Sequence, residues 1–344
     1  MVEQKERHVI KPPRLSAGDE IGIIAPATPF TPAVPSAYQE QFGRGVALLE
    51  SLGLHVQIST SVKNRDKHAY VSPESRAQEI NGFFAKPAIK AIISLVGGRS
   101  ANALLPHLDW QSIASKPKVI LGYSAVTALL VGMYARTGLV TFHGPMLLNG
   151  FGEFPTMFEY SSRQLEDVAF DATAPGPRHP PEEWTTDYPR EDRARKVSPQ
   201  KGWHWLRSGR ARGRLIGGNL ATLCTLAGTP FLPSFKDSIL FLEEVKTGPS
   251  ILQEVDESLA HLAMLGVFAD IRGLVVGKLN DATEFETDMF DRLISHHTVA
   301  FDFPILSQVD LGHTDPKLTL PIGIHATLDS GARQFSFDEA AVRV

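Results

Sequence analysis

Cysteine is almost absent: Cys224 is the one thiol in 344 residues. That excludes an intramolecular disulfide and a thiolate metal cluster, and it suits a reducing compartment. Within "NLATLCTLAG" the residue reads as a small buried core side chain. An excess of one charge is missing too. The formal net charge is −4 with no long run of like sign, so the basic footprint of a nucleic-acid surface is lacking and nucleic acid is not an expected partner. No stretch is apolar for long enough to cross a bilayer, and "MVEQKERHVIKPPRLSAGDE" has no apolar signal core, so a cytoplasmic protein without a membrane partner is expected. The dinucleotide fingerprint G-x-G-x-x-G does not occur. His296-His297 sit on an expected helix with no carboxylate at metal-ligand spacing and read as surface residues, so no metal site is predicted.

What is present is ordinary globular material, 43% hydrophobic and 21% charged, enough for two domains. From Asp19 onward short apolar runs alternate with segments of helical periodicity: "DEIGIIAPA", then "YQEQFGRGVALLESLG", "LHVQIST", a helix over "SPESRAQEINGFFAKP" that Ser72 or Ser75 can cap, "IKAIISLVGG", a short helix at "SANALLPHL", "KVILGYS" and the helix "AVTALLVGMYARTG". This alternation predicts an α/β domain with a mainly parallel sheet over 1–165. Over 166–212 the chain turns proline-rich and charged and reads as a long connecting loop, ordered because it carries Trp184, Trp203 and Trp205. A smaller mixed α/β domain over 213–344 follows, with "GRLIGGNLATLCTLAGTP" read as turn then helix, "SILFLEEV", "IRGLVVGKL" and "PILSQVDLGH" as strands, and strand again towards the end.

Four places could carry chemistry. In "KVILGYSAVT" a buried strand becomes a helix at Ser124, where a serine can either cap the helix or present its hydroxyl to a substrate. In "IISLVGGRSAN" the pair Gly97-Gly98 ends another buried strand, either as a turn or as a close backbone approach to a ligand. In "ILFLEEV" alternation sends Glu243 and Glu244 to opposite faces, so one acid at most points into a shared site, while the bland alternative is a solvated strand end. In "DLGHTDPKLTLPIG" His313 follows a strand in a Gly/Pro-punctuated loop.

Together with "SRAQEINGFF", "GLVTFHGPML", "GRLIGGNLATL" and "LAHLAMLGVF", these segments stand in the order of the LD-carboxypeptidase family of serine peptidases, and the chain most resembles its microcin C immunity branch. The resemblance implies a Ser124 nucleophile, a His313 base and a Glu243 acid, with Gly98 and Ala125 N–H groups as the oxyanion hole, and acyl transfer that needs no cofactor. It implies a homodimer. It also implies that a connecting-loop aromatic, Trp184, stacks on the nucleotide part of a peptidyl-nucleotide substrate, while Arg99 can receive a carboxylate or phosphate. The family commonly has Asp after the nucleophile where this chain has Ala125. The expected reaction is hydrolysis of a peptidyl-nucleotide amide. Alternatives are a murein tetrapeptide carboxypeptidase and a non-catalytic binder that has lost chemistry at Ala125.

Overall fold

The computed structural model describes residues 8–27, 36–63, 71–188, 193–246 and 248–344. In the first half, five parallel strands run in the spatial order His55–Ile58, Glu20–Ile24, Ile89–Ser94, Val119–Gly122 and Thr141–His143. The central ones are mostly apolar and almost wholly buried, Val119–Gly122 without interruption and Ile89–Ser94 broken only by Lys90 before its terminal serine, as suits a parallel sheet covered on both faces. Ser72 accepts from Ser75 N–H (3.2 Å) and starts the helix Pro73–Ala85. The helix Thr127–Thr137 stops at Gly138, whose φ of +79° is the left-handed cap that glycine adopts without penalty. "SANALLPHL" forms a 3₁₀ helix over Ala101–His107.

The sheet is completed from far along the chain, by Leu320–Ile322 pairing antiparallel to Thr141–His143. The second sheet has eight strands in the order Gly176–Arg178, Gln334–Phe337, His325–Asp329, Arg210–Asn219, Ser238–Glu243, Gly273–Gly277, Ile305–Val309 and His204–Arg207. Its middle, from Arg210–Asn219 to Ile305–Val309, is parallel, and the flanking strands are antiparallel.

The structure redraws four sequence readings. The stretch 166–212 is not a plain loop: the helix Glu159–Ala169 runs through its start, the strand Arg210–Asn219 begins before its end, and Gly176–Arg178 and His204–Arg207 serve as edges of the second sheet, while residues 189–192 lie outside the described ones. Proline and charge suit such edge strands, which have one unpaired side. "GRLIGGN" is not a turn but the end of a central strand. Its glycines answer close packing, and at Gly218 a φ of +150° as well: a Cβ on Gly217 would lie 1.8 Å from Phe241 O, and one on Gly218 would lie 2.3 Å from Thr127 Cγ2. Lastly, Cys224 is half-buried, with Sγ 3.6 Å from Ser258 O, and His297 is largely enclosed, its Nε2 2.7 Å from Asp256 Oδ1.

The close approach at Gly218 joins the two sheets. Asn219 N–H donates to Thr127 Oγ1 (3.0 Å), so the C-terminal end of the strand Arg210–Asn219 sits against the start of the helix that follows Ser124. Parallel strands collect ligands at their carboxyl ends, and here the ends of both sheets face each other.

Candidate active site

Ser124 stands two residues beyond the strand Val119–Gly122 with φ of +60°. A left-handed conformation costs a non-glycine residue about 1–2 kcal/mol, and such strain persists where the surroundings over-determine it. The turn is tight: a Cβ on Gly122 would lie 2.8 Å from Val126 Cγ1. Ser124 opens the 3₁₀ turn Ser124–Val126, yet neither that turn nor the helix Thr127–Thr137 has a side-chain cap. Its hydroxyl is therefore not used as a helix cap. Gly97 backs it, for a Cβ there would lie 2.9 Å from Ser124 Cβ and 3.0 Å from its Oγ.

Ser124 opens onto a cleft of ≈ 490 Å³ whose lining includes Gly98, Arg99, Ala125, Asn219, Glu244 and Glu254. Gly98 and Ala125, the residues expected to supply oxyanion N–H groups, thus border the same space as the serine. Arg99 is exposed at the cleft, and its own N–H donates to Ala27 O (2.7 Å).

Glu243 ends the strand Ser238–Glu243 fully buried, and its Oε2 lies 2.6 Å from His313 Nδ1. The solvated-end reading of the two acids is overturned, since Glu244 is buried as well. Burial pushes the Glu243 carboxyl up, but the charge and hydrogen bond of His313 outweigh it and hold the group below the usual carboxylate range. Glu244 goes the other way, raised first by burial and then by the Glu243 charge. Its oxygens accept from Asn219 Nδ2, Ala221 N–H and Val245 N–H, all at 2.9 Å, which makes it a brace for the cleft wall. The two acids have separate partners, as strand alternation implies.

His313 is held from several sides. Its ring meets Tyr123 edge-on at 4.9 Å between centroids, which brings it to the residue adjoining Ser124. Tyr188 from the connecting segment donates its hydroxyl to His313 O (2.9 Å), and Thr185 and Asp315 exchange backbone hydrogen bonds of 2.5 and 2.9 Å. A buried ion pair sits behind the loop: Lys317 Nζ lies 2.8 and 2.7 Å from the Asp315 oxygens and 4.9 Å from the Tyr123 ring centroid. A second buried pair, Lys278 with Asp310, binds the connecting segment through Gln200 Nε2 (2.7 Å to each Asp310 oxygen) and Trp203 Nε1 (2.8 Å).

Trp184 lines a different cavity, of ≈ 320 Å³, with Thr186, Asp187, Lys196 and Asp281, none of which borders the serine cleft. Lys278 Nζ is 5.3 Å from its ring centroid. Sequence reasoning missed Asn219, Tyr123, His143, Tyr188 and Lys317. The buried lysine in "DPKLTLP" carried a signal, because a lysine in such an apolar setting is rare unless it is paired, whereas Tyr188 had none. Among the described residues no group of three or more His, Cys, Asp or Glu could hold a metal ion, and no helix is long and apolar enough to cross a membrane.

The LD-carboxypeptidase N-terminal domain matches residues 21–144 and the LD-carboxypeptidase C-terminal domain residues 212–328. The chain belongs to the LD-carboxypeptidase family. As a member it is a peptidase. A Vibrio cholerae protein with a carboxypeptidase name is 33% identical over 96% of this chain and 98% of its own length. The microcin C7 self-immunity protein MccF of Escherichia coli is 30% identical over 97% of each, and the murein tetrapeptide carboxypeptidase of Pseudomonas aeruginosa is 26% identical over 90% of this chain and 92% of its own. Among solved structures, an MccF-like protein from Bacillus anthracis superposes with TM-score 0.88 at 33% identity, covering 96% of this chain and all (100%) of that one. MccF in complex with glutamyl sulfamoyl guanosine has TM-score 0.87 at 28% identity, covering 97% and 99%. The N-terminal match holds the five parallel strands of the first sheet and Ser124, and the C-terminal match holds the parallel middle of the second sheet, Glu243 and His313, together with the strand Leu320–Ile322 that completes the first sheet.

Proposed function

We propose that this peptidase hydrolyses the amide of a peptidyl-nucleotide by acyl transfer to Ser124. The observation that carries the reading is the Glu243–His313 pair, its imidazole packed on the Tyr123 that precedes a serine in left-handed backbone that caps nothing. A serine hydroxyl is a poor nucleophile until a base takes its proton and a third group orients the base. In this reading His313 Nε2 accepts the Ser124 proton as Oγ bonds to the scissile carbonyl carbon, and Glu243 holds the imidazole with Nδ1 protonated. The oxyanion is received by the Gly98 and Ala125 N–H groups. The C–N bond then breaks as His313 returns the proton to the leaving nitrogen, and water releases the acyl group by the same steps. The reaction draws on no cofactor.

Arg99 at the cleft receives a substrate anion, and Trp184 stacks on the nucleobase. Because Trp184 borders a separate cavity, its role requires a substrate long enough to reach both, as an aminoacyl group joined to a nucleoside is. Full-length similarity to MccF, solved with a glutamyl sulfamoyl guanosine, favours this class. The same reading has a homodimer in a reducing compartment, for which sedimentation gives the assembly. One observation favours a second substrate: exposed Arg99 in the serine cleft suits the terminal carboxylate of a murein tetrapeptide. Incubating protein and its Ser124→Ala variant with an aspartyl sulfamoyl adenosine and with a murein tetrapeptide, followed by mass spectrometry, separates the two. Ser124-dependent release of the nucleoside part supports the first, loss of the terminal D-residue the second, and binding without turnover in either form the non-catalytic alternative.

A further inference from the structure

"GLVTFHGPML" is a motif to which the triad gives no task, and its histidine is completely buried. His143 ends the strand Thr141–His143, in register with Gly122 on one side and Leu320 on the other. Its ring packs edge-on against Tyr123 (6.1 Å) and Phe241 (5.2 Å). Phe241 and Glu243 share one face of their strand, two residues apart, and Tyr123 is the ring that contacts His313. His143 is thus enclosed by the immediate neighbours of all three triad members.

Burying a polar group without a partner costs about 1–3 kcal/mol, and nearly all such groups find one. Both ring nitrogens of His143 lack a hydrogen-bond partner among the described residues, and so does Glu243 Oε1, the oxygen that His313 does not use. A neutral imidazole has one N–H to give and a carboxylate oxygen only accepts, so these unsatisfied atoms are complementary. Asn219 is the other nearby donor and helps to lower the Glu243 carboxyl, but its Nδ2 lies 2.9 Å from Glu244 Oε1 and 3.5 Å from the backbone oxygen of Glu243, and it leaves Oε1 without a hydrogen bond.

We propose that His143 is a positioning residue for the triad, its ring N–H holding Glu243 through Oε1 across one water, so that Oε2 stays aligned with His313 Nδ1. The proposal rests on the triad reading above. The titratable and charged groups facing His143 are Glu243, His313, Lys317 and Tyr123. Burial pushes the imidazole down to about 4, so the ring is neutral at pH 7, as an N–H donor to a carboxylate with a free second nitrogen must be.

The test is the rate at which a fluorophosphonate labels Ser124, resolved into a binding constant and a maximal rate. His143→Phe keeps the ring packing and loses the donor. Its maximal rate is expected to fall about 10- to 100-fold, the range for one hydrogen bond to a charged group, with binding unchanged. His143→Gln, which keeps an N–H, is expected to recover most of that loss. Equal losses in the two variants, or none in either, overturn the proposal. Absence of Ser124-dependent labelling in the wild type overturns the hydrolase reading itself and this one with it. Should the variants not fold, ¹⁵N-histidine NMR of the whole protein decides. His143 is expected as a single neutral tautomer whose shifts move in Glu243→Gln, whereas a protonated ring at pH 7, or shifts indifferent to Glu243→Gln, contradicts it.

Discussion

At the residue scale the account rests on three side chains that do little alone. Ser124→Ala, His313→Ala and Glu243→Ala are each expected to lower turnover steeply, and a double variant to be scarcely worse than its worse single, because members of the proposed triad would act as one unit. Steady-state kinetics checks this, and full activity in Glu243→Ala with loss in Glu244→Ala would show that the acids had exchanged roles. The buried His143 adds a signature in stability. Its ordinary value of about 6.5 falls to about 4 in the folded protein. Between those values the unfolded chain binds a proton that the folded one refuses, so stability is complete above about pH 6.5, declines as pH falls to about 4, and changes no further below. The lost contribution is on the order of 3 kcal/mol. Denaturant titrations at pH 7 and pH 5 should show a smaller decrease in His143→Phe than in the wild type, and an equal decrease would remove His143 as its source.

At the element scale the decisive piece is the loop 310–317, tied at Asp310, His313 and Asp315 to the connecting segment. Removing one member of a buried ion pair leaves the other charge uncompensated. Lys317→Met should therefore cost about 3–5 kcal/mol, with much of that restored in Lys317→Met/Asp315→Leu. Urea unfolding measures both, and equal stability of the single variant and the wild type would contradict the burial of the pair. Elements whose pattern is local were legible from sequence: the buried strands, the helix behind Ser124, the Ser72 cap and the α/β order all follow from runs and periods of a few residues. The strand Arg210–Asn219 was not, because its glycines read locally as a turn, and only the backbone of the strand Ser238–Glu243 and the helix at Thr127 explain them. His143 was illegible for a similar reason: its surroundings come from strands distant in sequence.

At the scale of the whole molecule, the strand Leu320–Ile322 completes the first sheet although it follows most of the second. The ends of the chain are joined as well, Arg14 N–H donating to Arg343 O (2.8 Å) and Arg343 N–H to Pro12 O (2.9 Å). Neither matched domain can unfold without exposing a sheet edge of the other. Calorimetry should therefore give one transition, with an enthalpy of about 240 kcal/mol near 60 °C on the usual per-residue value; two resolved transitions would contradict this coupling. The shared architecture also explains why the site assignment had to lean on family resemblance, since Ser124 and its partners meet only through long-range contacts. The most direct test of the central claim is intact and peptide mass spectrometry after reaction with a fluorophosphonate. The account predicts one adduct, on Ser124, absent in Ser124→Ala and formed far more slowly in His313→Ala and Glu243→Ala. An adduct on another serine, or labelling indifferent to His313 and Glu243, would contradict it.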